Sequence, residues 1–567
     1  MIVFRASAGC KAKWTNIRSV EATPLGPAGL SLAAALFVCA LFPPDVTGSS
    51  LAAVAAFVLV ATVATAATAA SRPVAIWVFA AVPLALVAIR AAIAPGEAVE
   101  PVVSILLAAF AGVGAAEVKG REEALARLLA LLTAFCGGRA LYETLWGLPA
   151  WAAAVRASAP AADAAAMLNR LEQGRPYGGF VTPAALGCLL VMTIPAVVAW
   201  AMGKRGRLRA AGMAAALLGA AGLVATRSLS AMAALLCALV LFAITRRVAP
   251  LALAVTAAAL CVAILGAGLL RPDAVFGPSR AESPWRLRAG NVRVGLEIAR
   301  VRPLAGAGPG GYAEAFAQHR RGADNESRHA HNLPVELAAD WGVPVGLALS
   351  AVFFVAFAGP LVRGAPRMRS LDLGLAIGLA AFAIHNLADF TAFLPSLLVI
   401  AAVLRGSLVR SAPPGRASVP IRAAWIGLAS AIALVAAGSG LAKDALFDAR
   451  QAGAAGDHAS AIRSAEQGST FAPWDADPPQ VAASARLAAG GDAAAALADA
   501  DRAVVRAPSR AAGRAVRARA RSAAGDPAGA YADLVEAAQL YPLRAEYAQQ
   551  RDALGDALSK ARAAVPR

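Results

Sequence analysis

Apolar residues run along this chain in blocks rather than in alternation. From residue 28 to residue 439, Ala-, Leu- and Val-rich stretches recur between short polar joints carrying Arg, Lys, Gly and Pro. Each block is near the roughly 20 residues that a helix needs to cross about 30 Å of hydrocarbon. Lipid offers no partner to an unpaired backbone group, and no block alternates as a strand does, so the blocks predict helices. We place thirteen spans, at about 28–43, 50–70, 74–93, 101–117, 126–146, 182–202, 208–226, 230–245, 249–270, 333–360, 371–387, 391–405 and 422–439. The chain thus divides into residues 1–27 before the first span, a membrane region 28–439 with one large loop at 271–332, and a polar tail 440–567. The expected class is all-α, a polytopic bundle followed by a helical solenoid.

Composition agrees with this division. The 567 residues are 59% hydrophobic and 16% charged, with mean hydropathy +0.61, a balance soluble domains rarely carry. The first block lacks an A-x-A-like cleavage site and is followed at once by another, so it reads as a retained span rather than a signal peptide. Lys11, Lys13 and Arg18 precede it, and every even-numbered span exits into a basic joint. Examples are Arg72, Lys204 to Arg209, Arg246 with Arg247, Arg363 to Arg369, and Arg405 to Arg422. By the positive-inside rule these joints and the N-terminus face the cytoplasm, and the tail lies outside. From Leu441 onward there are 16 Lys and Arg against 15 Asp and Glu, so the formal charge of +18 belongs almost wholly to the membrane part. That placement argues against a nucleic-acid surface. Cys10, Cys39, Cys136, Cys188, Cys237 and Cys261 lie in or beside the spans without C-x-x-C spacing, which indicates neither a zinc site nor a disulfide framework.

The tail repeats itself. Gly-Asp recurs at 456/457, 491/492 and 525/526, and Pro473, Pro508 and Pro542 keep the same beat of 35 and then 34 residues. Helix, Gly-Asp turn, helix and closing Pro at this period resembles tetratricopeptide repeats, in about three units. Such a tail offers either a concave surface for a protein or glycan partner, or a folded cap that holds or spaces the membrane part. A catalytic role fits it poorly, since His458 sits in a turn and Asp475 and Asp477 lie between repeats.

Candidate chemistry gathers on the outward side. Only residues 147–181 and 271–332 are long enough outside to hold a site. The second carries three of the five histidines, His319, His329 and His331, together with Arg286, Arg288, Arg293, Arg300 and Arg302. An external arginine cluster runs against positive-inside counting, and an anionic ligand accounts for it. Arg227 stands between two strongly apolar spans, Arg175 precedes the sixth span, and His385 and Asp389 lie at the turn between the eleventh and twelfth. Guanidinium forks at that interface suit a lipid-linked pyrophosphate. The plain readings stand beside this one: Arg227 could snorkel, Arg286 and Arg293 could be solvated loop charges, and His385 could be structural. His329 and His331 lack a suitably spaced acidic partner for a metal, and no cofactor is called for.

At this point a family resemblance emerges. His331-Asn332, nine residues, then Gly342 resembles the His-Asn-x9-Gly signature of O-antigen ligases and O-antigen polymerases. Arg302 to Tyr312 resembles the family's Pro-Leu-x-Gly-x-Gly-Pro-Gly segment, with Arg288 where the family keeps an arginine before its amphipathic loop helix. Thr226-Arg227-Ser228 resembles its Ser-Arg-Gly junction, and Arg175 to Phe180 with Pro183 resembles its Arg-x-x-Gly-x-Phe entry. The likeness covers residues 170 to 405. The chain departs from it at Ser228 and Leu229, at Val345, and in lacking an asparagine near Pro183.

The resemblance implies a lipid-sugar glycosyltransferase of the bacterial inner membrane that moves a glycan from undecaprenyl pyrophosphate to an acceptor hydroxyl on the periplasmic face. It implies a metal-independent, inverting displacement, in which Arg227 and Arg288 hold the pyrophosphate and His331 acts as base. Asn332, Arg175, Arg286, His329, His385 and Asp389 would contact substrate. The acceptor could be a lipid, a second glycan or a protein, and the tail could recruit a protein partner. The competing reading is a transporter or flippase of lipid-linked saccharides, which would place ionisable groups near the bilayer midplane.

Overall fold

The structure is a computed structural model and describes residues 26–69, 95–117, 122–158, 161–246, 258, 262, 266, 284–322, 326–364, 368–409 and 419–563. Among the described residues there is no strand, and six helices are long and apolar enough to cross a membrane. Five shorter apolar helices accompany them. Together they fall on eleven of the thirteen expected spans; of the other two, 74–93 lies outside the described residues, as does 249–270 apart from residues 258, 262 and 266. The chain is an all-α, multi-pass membrane protein.

The first helices are α1 (Pro27–Leu41), α2 (Gly48–Ala69), α3 (Pro95–Glu117) and α4 (Glu122–Tyr142). A π-helical turn, Glu143–Gly147, joins α4 to α5 (Leu148–Ser158), so the fifth apolar block runs on well past its expected end. After α6 (Ala161–Glu172), three apolar helices follow: α7 (Pro183–Met202), α8 (Gly206–Ala225) and α9 (Leu229–Arg246). α7 starts where it does because Thr182 caps it, accepting from the Ala185 amide at 3.1 Å, and Pro183 takes the first turn.

α7 is apolar on every face and accordingly lies at the centre. Against it packs α15 (Ser370–His385), equally buried. Their contact depends on small residues, since a Cβ at Gly374 or Gly378 would collide with the Pro195 or Met192 carbonyl. Close backbone approach of this kind is how helices associate where lipid removes the hydrophobic drive. α2 against the long helix α17 (Val419–Ala454) repeats the device, with Gly48 and Gly440 meeting backbone to backbone.

Ion pairs sort the helix ends into two poles. At one, Glu123 on α4 accepts from Lys204 at 2.6 Å and from the Trp200 indole at 3.0 Å, while Arg369 before α15 meets Glu122. At the other, Glu143 accepts from the Tyr177 and Gly178 amides, both at 2.8 Å, fixing the entry to α7.

Between the poles the expected tenth span, 333–360, is not one helix. Leu333–Trp341 forms α12, Gly342 turns the chain at φ +80°, and α13 (Val343–Phe357) starts anew. The reason is local: Glu336 and Asp340, both buried on α12, bind backbone amides instead of facing lipid. Before α12 stand the two loop helices, α10 (Pro284–Val301) and α11 (Tyr312–His319); after α13 come α14 (Gly359–Gly364), α15 and α16 (Pro395–Ser407).

α17 runs unbroken through residue 440, so no linker separates tail from membrane region. Six helices complete the tail: α18 (His458–Phe471), α19 (Asp477–Ala488), α20 (Ala493–Arg506), α21 (Ala511–Ala523), α22 (Pro527–Leu540) and α23 (Ala545–Ala563). Each packs on its neighbour in sequence. The Gly-Asp beat has a mechanical basis. Gly456 and Gly525 end one helix at φ +80° and +82°, and Asp457 and Asp526 cap the next by accepting from Ser460 and Gly529 amides. Alanines fill the interior, and buried Asp499 and Asp533, one repeat apart, bind Arg486 and Arg517.

Candidate functional site

The site forms where α15 ends. Asn386, fully buried, knits the turn that follows: its side-chain oxygen accepts from the Ala392 amide at 2.7 Å and the Thr391 hydroxyl at 3.2 Å, and its amide nitrogen donates to Phe382 O. The loop carrying His331 docks on this turn. The Leu333 amide donates to Asn386 O, and Asn332 donates through Nδ2 to Leu387 O, both at 2.9 Å. Asn332 also caps α12 by accepting from the Val335 amide.

Asp389 is the hub. Only 2% of its side chain is exposed, yet it gathers four polar side chains. Arg288, from the second turn of α10, reaches Oδ2 with Nη2 at 3.3 Å. Ser230, on the first turn of α9, donates to the same oxygen at 3.5 Å and lies 3.2 Å from His385 Nε2. His331 Nδ1 stands 3.8 Å from Oδ1, buried and without a hydrogen bond. His385 is held on its other side by Thr391 Oγ1, 3.1 Å from Nδ1. Burial alone would raise the Asp389 carboxyl, but His385, Arg288 and His331 outweigh it and hold the group below the ordinary carboxylate range. His331 is lowered to about 4, first by burial and then, against the pull of Asp389, by Arg288 and His329. It is therefore neutral at pH 7 and free to accept a proton.

Two residues are bent into place. Among the described residues, Arg227 (φ +49°) and His331 (φ +55°) are the only non-glycine residues with positive φ. A left-handed backbone costs an L-residue about 1–2 kcal/mol, and such outliers collect at working sites. Arg227 and Arg175 each hold the other's neighbourhood: Arg227 Nη1 donates to Gln173 O at 2.9 Å, and Arg175 Nε donates to Thr226 O at 3.0 Å. A short hydroxyl path, Ser228 to Ser230 at 3.3 Å, leads from this arginine pair to His385 and Asp389.

The structure thus brings Arg288, His331, His385 and Asp389 around one carboxylate and sets Arg227 and Arg175 beside one another along the same rim. Asn332 serves as cap and tether. His329 binds Glu336 at 2.7 Å and stacks on Phe390, ring centres 4.4 Å apart and nearly parallel, while His331 meets the edge of the same ring at 4.9 Å. Arg286 is exposed, and two residues from Arg288 on a helix it points away from the hub. Among the described residues no group of three or more His, Cys, Asp and Glu is arranged to hold a metal ion.

Sequence reasoning missed several participants. Ser230, Asn386 and Phe390 carry no motif and are seen only once distant segments meet. Asp340 was missed too, though the glycines mark it: it accepts from the Gly310 and Tyr312 amides at 3.0 and 2.8 Å, so the segment 303–312 wraps its carboxylate. A Cβ at Gly306 would strike the Asp340 backbone, and one at Gly342 would strike Leu304 O. The nine residues between Asn332 and Gly342 are therefore one short helix, capped at one end and broken by the crossing loop at the other.

The comparisons with known proteins reach the same region. Residues 214–350 match the family model described as O-antigen ligase, a stretch that includes Arg227, Arg288, His331, Asn332 and Gly342. The match supports an O-antigen ligase family protein. No curated protein matches the chain.

Proposed function

We propose that this O-antigen ligase family protein is a glycosyltransferase of the bacterial inner membrane, transferring a glycan from undecaprenyl pyrophosphate to an acceptor hydroxyl on the periplasmic face. One observation carries the reading: a permanently charged arginine and a neutral, strained histidine share a single buried carboxylate beside a pair of further arginines, Arg227 and Arg175. The basic residues Lys204 and Arg369 at one pole support reading that pole as cytoplasmic by the positive-inside rule, and the hub's pole as periplasmic.

In the step we infer, the acceptor oxygen attacks the anomeric carbon, the bond from that carbon to the pyrophosphate oxygen breaks, and undecaprenyl pyrophosphate leaves with the electron pair. A single displacement inverts the anomeric centre. Charge that builds on the leaving oxygens is met by Arg288, Arg227 and Arg175, a preorganised electrostatic contribution. His331 takes the acceptor proton, and Asp389 stabilises the imidazolium that results. A base with pKa about 4 is weak at pH 7. An anionic pyrophosphate on Arg288 would cancel part of the field that depresses it, so the donor itself raises the histidine toward the working pH.

The test is direct. The protein in nanodiscs is incubated with an undecaprenyl-pyrophosphate oligosaccharide, with and without chelator, and transfer is followed to a lipid A core, a second lipid-linked unit or a periplasmic protein. Transfer to one acceptor that survives chelator and is lost in Arg288→Ala supports the reading and names the acceptor. Binding without transfer to any acceptor would favour movement of a lipid-linked saccharide.

A further inference from the structure

The tail does not project freely from the membrane region. It rests on the loop that carries the site. Arg510, at the N-terminal end of α21, donates through Nε to Glu314 on α11 at 3.0 Å and through its other arm to Asp477 at the start of α19, with 19% of its side chain exposed. Tyr541, just past α22, donates its hydroxyl to Glu326. Arg320 completes the seam, pairing with Glu326 at 3.4 Å and lying over the Tyr541 ring at 5.3 Å. α11 packs on α22, and between loop and tail lies a cleft of about 230 Å³ lined by Glu314, Arg510, Tyr541 and Tyr547.

These contacts grip a short segment from the side opposite the membrane helices. On the inner side, Asp340 of α12 binds the Gly310 and Tyr312 amides at the start of α11. On the outer side, Arg510 holds the first turn of α11 through Glu314, and Tyr541 holds residue 326, five residues before His331. His331 needs such bracing. Its left-handed backbone persists only where the surroundings over-determine it, and a polar loop of this length has many other conformations to adopt. Both ends of the seam join an acidic loop residue to a tail donor, so the pairing is specific in sign as well as in place.

We propose that the helical tail is a clamp on the site, with Arg510 and Tyr541 acting as positioning residues that hold α11 and residues 326–331, and hence His331, in register with Asp389. The catalytic part of this rests on the proposed transfer reaction; the mechanical part does not.

The experiment uses the full chain in nanodiscs and measures hydrogen exchange of peptides covering 312–331 alongside transfer kinetics. In Arg510→Ala, loss of the charge-assisted hydrogen bond to Glu314 raises exchange in 312–331 by about tenfold, while exchange in α18 and α23, away from the Arg510–Asp477 pair, is unchanged. kcat falls by a similar factor with KM for the donor unmoved, and Arg510→Lys recovers most of both. Tyr541→Phe, which removes only the hydroxyl, moves exchange in the same direction. The double variant Arg510→Ala with Glu314→Ala matches Arg510→Ala alone, because the contact between the two residues is already lost in the single variant. Arg463→Ala, exposed on α18, changes nothing. Unchanged exchange in both Arg510→Ala and Tyr541→Phe, with the tail folded, overturns the clamp. Raised exchange in a chain that transfers no glycan keeps the clamp and sinks the reaction instead.

Discussion

Arg288 and His331 both touch the Asp389 carboxylate, at 3.3 and 3.8 Å, so the guanidinium is placed to tune the imidazole. Through that carboxylate the two groups lie within roughly 9 Å of each other, where two unit charges at an effective dielectric of about 20 repel by roughly 2 kcal/mol, more than one pH unit. Arg288→Met removes the charge and keeps most of the stem. His331, lowered to about 4 in the native protein, should then titrate above about 5, because Asp389 remains to favour its charged form. Arg286→Met, removing an exposed charge two residues away, should leave it where it is. With only five histidines in the chain, carbon-13 labelling of the imidazoles and an NMR titration in nanodiscs resolves the five curves, and His331→Gln assigns the one in question. Stability follows with a definite sign. Between pH 6.5 and about 4 the unfolded chain's His331 takes up a proton that the folded one refuses, so acidification through that window costs up to about 3 kcal/mol. Arg288→Met shrinks that loss. No upward movement in Arg288→Met, or an equal movement in Arg286→Met, would refute the coupling and with it the idea that an anion on Arg288 activates His331.

Other expectations follow from the same geometry. Asp389→Asn strips the hub of its charge and should cost about 3 kcal/mol in thermal unfolding, toward the lower end for a buried pair because Arg288 keeps access to water. Arg227→Gly should be more stable than Arg227→Ala by about 1 kcal/mol, since only glycine relaxes at φ +49°, while both lose transfer by about a hundredfold. Gly378→Ala forces a methyl into the Met192 carbonyl and should lower stability by about 1–3 kcal/mol, read as a fall in melting temperature. Asp340→Asn turns one of two acceptors into a donor facing an amide, costing about 1–3 kcal/mol and opening residues 303–312 to limited proteolysis.

The membrane part was legible because hydropathy records a solvent, and a block of 20 apolar residues has few places to go. α7 and α15 fall within two residues of their expected limits. The same measure failed at 333–360, because average hydropathy there stays high across Glu336 and Asp340. Two buried acids in one supposed span are the sign that the segment serves protein amides and not lipid, and the glycine nine positions past Asn332 marks the break. The tail boundary at 440 was drawn from composition, yet one helix carries both compositions. α17 changes solvent without changing secondary structure, with Asp444 capping α2 through the Gly48 and Ser49 amides at the point of transition.

For the site, the sequence could supply the charged residues but not the neutral ones that join them. An arginine or histidine at a membrane edge demands an explanation, so Arg175, Arg227, Arg288, His331 and His385 stand out unaided. Ser230, Asn386 and Phe390 are ordinary residues in apolar or turn-rich surroundings, and their importance exists only in contacts spanning tens to more than a hundred positions: Ser230 with His385, Asn386 with Leu333, Phe390 with His329. The most informative mark is one no pattern of polarity contains. Arg227 and His331 both carry left-handed backbone, on segments about a hundred residues apart, at the two ends of a single hydroxyl and carboxylate path. A fold that only had to bury its helices would have no use for either strain, and each would disappear on substitution by glycine. That both are retained on side chains that can meet an anion or a proton is the strongest physical reason to look for the chemistry between them.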